Sequence, residues 1–125
     1  MDLKILKGSL GLIEETKPCI IFEFDSFNHK NYFEEVKIIM SKLEALDYKK
    51  CIIYDNFGYL FEVVDLNNIE SLFFKYLYTK SETFYYFDIL IPSKKFQDRI
   101  LTEEVQYFCD VAGVTTIPFN EFKRA

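Results

Sequence analysis

The sequence predicts an α/β domain. Two kinds of spacing carry this. Tyr32, Val36, Ile39, Leu43 and Leu46 recur at four, three, four, three, the period of a helix with one apolar face. Between such patterns lie short apolar runs rich in β-branched and aromatic residues: Cys19 to Phe24, Cys51 to Tyr54, Tyr59 to Val64 and Thr83 to Ile91. The resulting order is helix, strand, helix, hairpin, helix, strand, helix, which alternates as α/β chains do.

The first helix is marked by Leu3, Leu6, Leu10 and Ile13, with Asp2 as its starting residue and Pro18 as its stop. Gly8 and Gly11 lower helix propensity, and their expected use is close approach of the helix to the sheet. Cys19 to Phe24 is apolar on both faces until Glu23, as in a central strand covered on both sides. A polar loop, Asp25 to Asn31, leads into the Tyr32–Leu46 helix, which Asp47 ends because Asp tolerates a left-handed turn. D-N-F-G, Asp55 to Gly58, joins two strands as a hairpin. Asn67 with Glu70 is a helix-start signature, followed by the stripe Ile69, Leu72, Phe73, Tyr76 and Leu77. Thr83 to Ile91 is the longest strand candidate, interrupted by Asp88 and ended by Pro92. A helix covers about Lys95 to Ala112 with Gly113 as its stop, and the last dozen residues are expected to be extended. No linker or repeat divides the chain. Residues 1–92 form the body, and 93–125 a mainly helical tail packed on the same domain.

Charge removes several functions. The net charge is −5, and Lys and Arg are scattered singly or in pairs. Nucleic-acid binding needs clustered cations, and anionic membrane surfaces need them too. No apolar run approaches the ~20 residues of a membrane span, and no signal peptide is evident. Three cysteines without a C-x-x-C pair read as buried free thiols in a reducing cytoplasm.

Three segments resemble one family. D-L-K-I-L-K-G-S-L-G-L-I-E-E-T-K-P-C-I-I-F-E-F, residues 2–24, is similar to the middle of FkbM-type S-adenosylmethionine-dependent methyltransferases. There an acidic-apolar helix carries L-K-G-A, then K-P, an apolar strand and a Glu. Here Leu6-Lys7-Gly8-Ser9, Lys17-Pro18 and Glu23 stand at those places. L-E-A-L-D-Y-K-K-C-I-I-Y-D-N-F-G-Y-L-F-E-V resembles the family's helix-to-hairpin segment, with Asp47 where that pattern usually has Gly. F-D-I-L-I-P, Phe87 to Pro92, resembles its last strand. The resemblance implies the C-terminal portion of a Rossmann-like methyltransferase sheet with flanking helices and a β-hairpin. It lacks the cofactor-binding first half: the chain has four glycines, none in a G-x-G pair, and no D-x-E-G strand before the first helix. S-adenosylmethionine would then bind only if a separate N-terminal half supplied that turn.

The same resemblance places the loop after Phe24 at the methyl-acceptor pocket. Glu23 and His29 are the candidate catalytic bases, and Asp25 is a candidate substrate-loop residue. Their ordinary alternatives are a strand-end carboxylate and a solvated loop histidine. A metal site from Glu23, Asp25 and His29 is disfavoured by the single histidine, and a Cys–His nucleophile pair by the apolar surroundings of the cysteines. Two functions follow. One is part of an O-methyltransferase acting on a hydroxyl of a sugar or secondary metabolite, inactive alone. The other is a non-catalytic interaction or scaffold module. In either, Cys19 to Phe24 becomes a sheet edge, and a homo-oligomer is expected through it or through an exposed helix face.

Overall fold

The apolar runs become one four-stranded sheet in the computed structural model, which describes residues 2–25, 31–80 and 86–113. Strands β1 (Ile20–Phe24), β2 (Lys50–Asp55), β3 (Leu60–Asp65) and β4 (Phe87–Ile91) lie in the order β1-β4-β2-β3. Every neighbouring pair is antiparallel. β1 and β2 therefore run in the same direction, and the last strand returns between them. Helices α1 (Leu3–Gly8), α2 (Leu10–Thr16), α3 (Tyr32–Ala45), α4 (Glu70–Lys80) and α5 (Gln97–Ala112) complete the fold, with a 3₁₀ turn at Leu66–Asn68.

The core is built on one face of the sheet. Ile20, Phe22 and Phe24 of β1 and Phe87, Ile89 and Ile91 of β4 alternate toward it, as the period-2 geometry of strands requires. Val36, Ile39, Met40 and Leu43 of α3 and Leu72 and Tyr76 of α4 cover them. Rings dominate the centre. Phe24 stacks on Phe33 and Phe73 at centroid distances of 6.1 and 5.8 Å, and meets Tyr32 and Tyr76 edge-on at 5.3 and 5.1 Å. Such pairs add about 0.5–1.5 kcal/mol each beyond area burial. α5 lies on the opposite face, where the Tyr54 hydroxyl donates to Glu104 Oε1 at 2.6 Å and the Tyr54 ring meets Phe108.

Local signals set the boundaries. Asp2 accepts from the Ile5 amide at 2.9 Å and caps α1. Asp47, with φ 73, turns the chain after α3. Gly113, with φ 71, ends α5. In the hairpin loop Asp55 Oδ1 accepts from the Phe57 and Tyr59 amides at 2.8 and 3.1 Å, and Gly58 supplies φ 88. Tyr48 donates to the Pro18 carbonyl at 2.6 Å, fixing the entry to β1 against the end of α3.

Several expectations are corrected. The first helix is two, broken at Ser9, whose hydroxyl bonds the Ile5 carbonyl at 2.8 Å. Gly8 and Gly11 are exposed, and a Cβ on either would meet nothing within 4 Å, so they mediate no close approach. β1 lies at an edge, as the missing strand implied, but it is not covered on both faces: Ile21 is 57% exposed. Cys19 is exposed, whereas Cys51 and Cys109 are buried. Asn67 sits inside the 3₁₀ turn, and α4 starts at Glu70. β4 begins at Phe87. The stretch 83–85, the side chain of Leu77 and the last dozen residues lie outside what is described.

Phe24→Ala is expected to cost about 3–5 kcal/mol of unfolding free energy, as for other buried Phe truncations. Leu12→Ala, at a site 62% exposed, should stay within about 0.5 kcal/mol. Urea unfolding followed by circular dichroism measures both. Equal costs would contradict a core centred on Phe24.

Candidate functional site

The carboxyl ends of β1 and β2 lie at the same end of the sheet, and the candidate residues fall there. Burial of the Phe24 ring places two tyrosine hydroxyls beside the end of β1. The Asp25 amide donates to the Tyr32 hydroxyl at 3.0 Å, and that hydroxyl donates to the Glu23 carbonyl at 3.2 Å. The Tyr76 hydroxyl donates to Asp25 Oδ1 at 3.0 Å. Burial pushes the Tyr32 phenol well above the ordinary tyrosine range, and the negative charge of Asp25 adds to this. The backbone bond from Asp25, second in weight after burial, acts the other way. Tyr32 is therefore a neutral donor, suited to holding a backbone turn and unsuited to taking a proton.

Glu23 and Asp25 do not share a pocket. Asp25 is tied to Tyr76 on the helix-packed core face. Glu23 points to the α5 face, because it lies directly opposite Asp88, which is in turn opposite Tyr54. That row, continued by the Tyr54 bond to Glu104, is polar across the sheet. Burial raises the Asp88 carboxyl above the ordinary value of 3.8. Burial also raises the Tyr54 phenol, with the Glu104 hydrogen bond next in weight. Asp88, Tyr54 and Glu104 are the members that sequence reading did not assign. The one signal was Asp88 interrupting an apolar strand. His29 lies outside the described residues.

Among the described residues no group of His, Cys, Asp or Glu is arranged to hold a metal ion. Full burial pushes the Cys51 thiol far above its ordinary range, which makes it inert. None of the four glycines forms the G-x-G turn with which open α/β sheets approach a dinucleotide-type cofactor. A cleft of about 570 Å³ opens at the other end of β1, between Thr16, Lys17, Tyr48, Ser93 and Phe96, away from the candidate residues. No helix among the described residues is long and apolar enough to cross a membrane.

No family model matches the chain, and no curated protein or solved structure is similar to it.

Asp88 yields a pH signature. Its folded-state pKa is raised, so the folded protein favours the protonated carboxyl. Stability from this group is present at acid pH and is lost as pH rises from the ordinary aspartate value through the raised one. Asp88→Asn should therefore raise Tm at neutral pH, with the gain fading toward about pH 3. Thermal unfolding across that range checks it. A variant less stable than the parent at neutral pH would refute the desolvation argument.

Proposed function

We propose that this chain is the acceptor-side half of an FkbM-type, S-adenosylmethionine-dependent O-methyltransferase acting on a hydroxyl of a sugar or secondary metabolite. One observation supports this most: β1 and β2, joined through α3 and separated by the antiparallel β4, run in the same direction and finish at the same end of the sheet. Ligands of open α/β sheets sit beyond such ends. The segments that resemble the family supply these strands and the returning β4. In this reading Glu23, exposed beside that end, accepts the proton of the acceptor hydroxyl, with His29 as the other candidate. Asp25, held by Tyr76, is the residue on the substrate side. The cofactor belongs to a separate N-terminal half, and the protein works in the cytoplasm, in keeping with its free cysteines.

A second reading, a non-catalytic α/β module that oligomerises, is favoured by the bare face of β1 around Ile21.

Equilibrium dialysis with S-adenosylmethionine separates the two. On the first reading the chain alone binds none, and mixing with an N-terminal half carrying the G-x-G turn and D-x-E-G strand restores binding and transfer. Glu23→Gln should then lower the transfer rate by about 10²-fold with cofactor binding kept. Cofactor binding by the chain alone, or no binding in the mixture, would overturn the first reading.

A further inference from the structure

We infer that the cleft at the amino end of β1 binds a small phosphate monoester with an apolar body. Its walls are the end of α2 at Lys17, the turn after α3 at Leu46 and Asp47, and the turn into α5 from Ser93 to Phe96. Its volume, about 570 Å³, falls within the range of small-molecule pockets, ~300–1,000 Å³.

Charge sets the sign of the ligand. Lys17, Lys94 and Lys95 line the cleft against one acid, Asp47, in a chain whose net charge is −5. Among the described residues no carboxylate pairs with any of the three, whereas Lys37, Lys50 and Lys75 each hold one. Like charges gathered in one concavity draw a counter-ion into it.

Two donors are held in place. Lys17 Nζ donates to the Leu46 carbonyl at 3.0 Å, which fixes the ammonium at the cleft wall with two of its three hydrogens unspent. Ser93 is 4% exposed, and its hydroxyl has no partner but Cys19 Sγ at 3.7 Å, a weak one. A ligand oxygen would give that hydroxyl a full hydrogen bond. The amino end of α5, which no side chain caps, opens on the same cleft through Phe96 and adds its positive dipole end.

The donor types favour phosphate over carboxylate. Ammoniums act as point charges and suit a group with three acceptor oxygens and about two negative charges. A planar carboxylate is matched best by the arginine fork, and no arginine lines this cleft. Size and walls set the rest of the ligand. A bare phosphate would leave most of the volume empty. Leu46 and the Phe96 ring, 43% exposed, offer apolar surface, and Lys95 Nζ lies 5.4 Å from the centre of that ring. An apolar body against Phe96 would thus carry its phosphate beside the ammoniums.

The cleft lies away from Glu23 and Asp25, so this proposal is independent of the catalytic reading.

Heteronuclear NMR titration of the chain with phenyl phosphate should give saturable shifts confined to residues 16–17, 46–48 and 93–96, with a Kd below about 1 mM. Benzyl alcohol lacks the charge and inorganic phosphate lacks the ring, and each should bind at least about tenfold more weakly. Replacing both exposed lysines, Lys94→Gln with Lys95→Gln, should weaken phenyl phosphate at least about tenfold, with an unchanged circular dichroism spectrum. Phe96→Ala should weaken phenyl phosphate and leave inorganic phosphate unaffected. The absence of saturable shifts by about 10 mM, or shifts centred elsewhere, overturns the proposal. So does an affinity unchanged in the lysine variant. Equal binding of benzyl alcohol would make the cleft an apolar crevice, equal binding of inorganic phosphate an adventitious ion site only, and equal binding of benzoate would overturn the choice of phosphate.

Discussion

Everything at the candidate site hangs on the burial of Phe24. Its ring is the point where β1, α3 and α4 meet, through Tyr32 and Phe33 on one helix and Phe73 and Tyr76 on the other. Rings at these distances tolerate little rotation in a close-packed interior. That rigidity fixes where the two phenol hydroxyls emerge, and the hydroxyls fix the path of Glu23 and Asp25. Packing energy is thereby converted into the position of a carboxylate.

The two faces of the sheet follow different rules. On the core face, side chains are apolar and interlocked. On the α5 face, a hydrophobic patch under the helix gives way to the polar row Glu23, Asp88 and Tyr54. Directly opposed carboxylates repel, and burial of Asp88 compounds the cost. An acid in the middle of β4 costs stability at neutral pH, and this row is therefore of interest beside Asp25.

The α3 helix was legible because its spacing is regular over the whole element. The hairpin loop was legible because Asp55 and Gly58 each meet a specific backbone demand. The edge position of β1 was half legible. Its place at the rim followed from the family resemblance, but its bare face did not, because Ile21 is as apolar as its buried neighbours. Periodicity reports alternation only where the two faces differ in chemistry. Glu23 and Asp25 were found as acids at a strand end, yet the sequence could not show that they diverge to opposite faces. Tyr32 and Tyr76 were read as core members of their stripes, which they are. Their hydroxyl partners come from tertiary contact, and no local pattern encodes that.

The position of β4 has a consequence for the order of events on the growing chain. The strand synthesised last sits in the interior of the sheet, between β1 and β2. Until residues 87–91 are available, β1 has nothing to pair with, and the β2–β3 hairpin presents an open side. Most of the chain must therefore leave the ribosome before the sheet can close. Long sequence separation between paired strands slows folding and leaves apolar edges exposed meanwhile. The nascent protein passes through a stage that exposes more apolar edge than its folded form, which leaves only the outer sides of β1 and β3 without a neighbouring strand among the described residues.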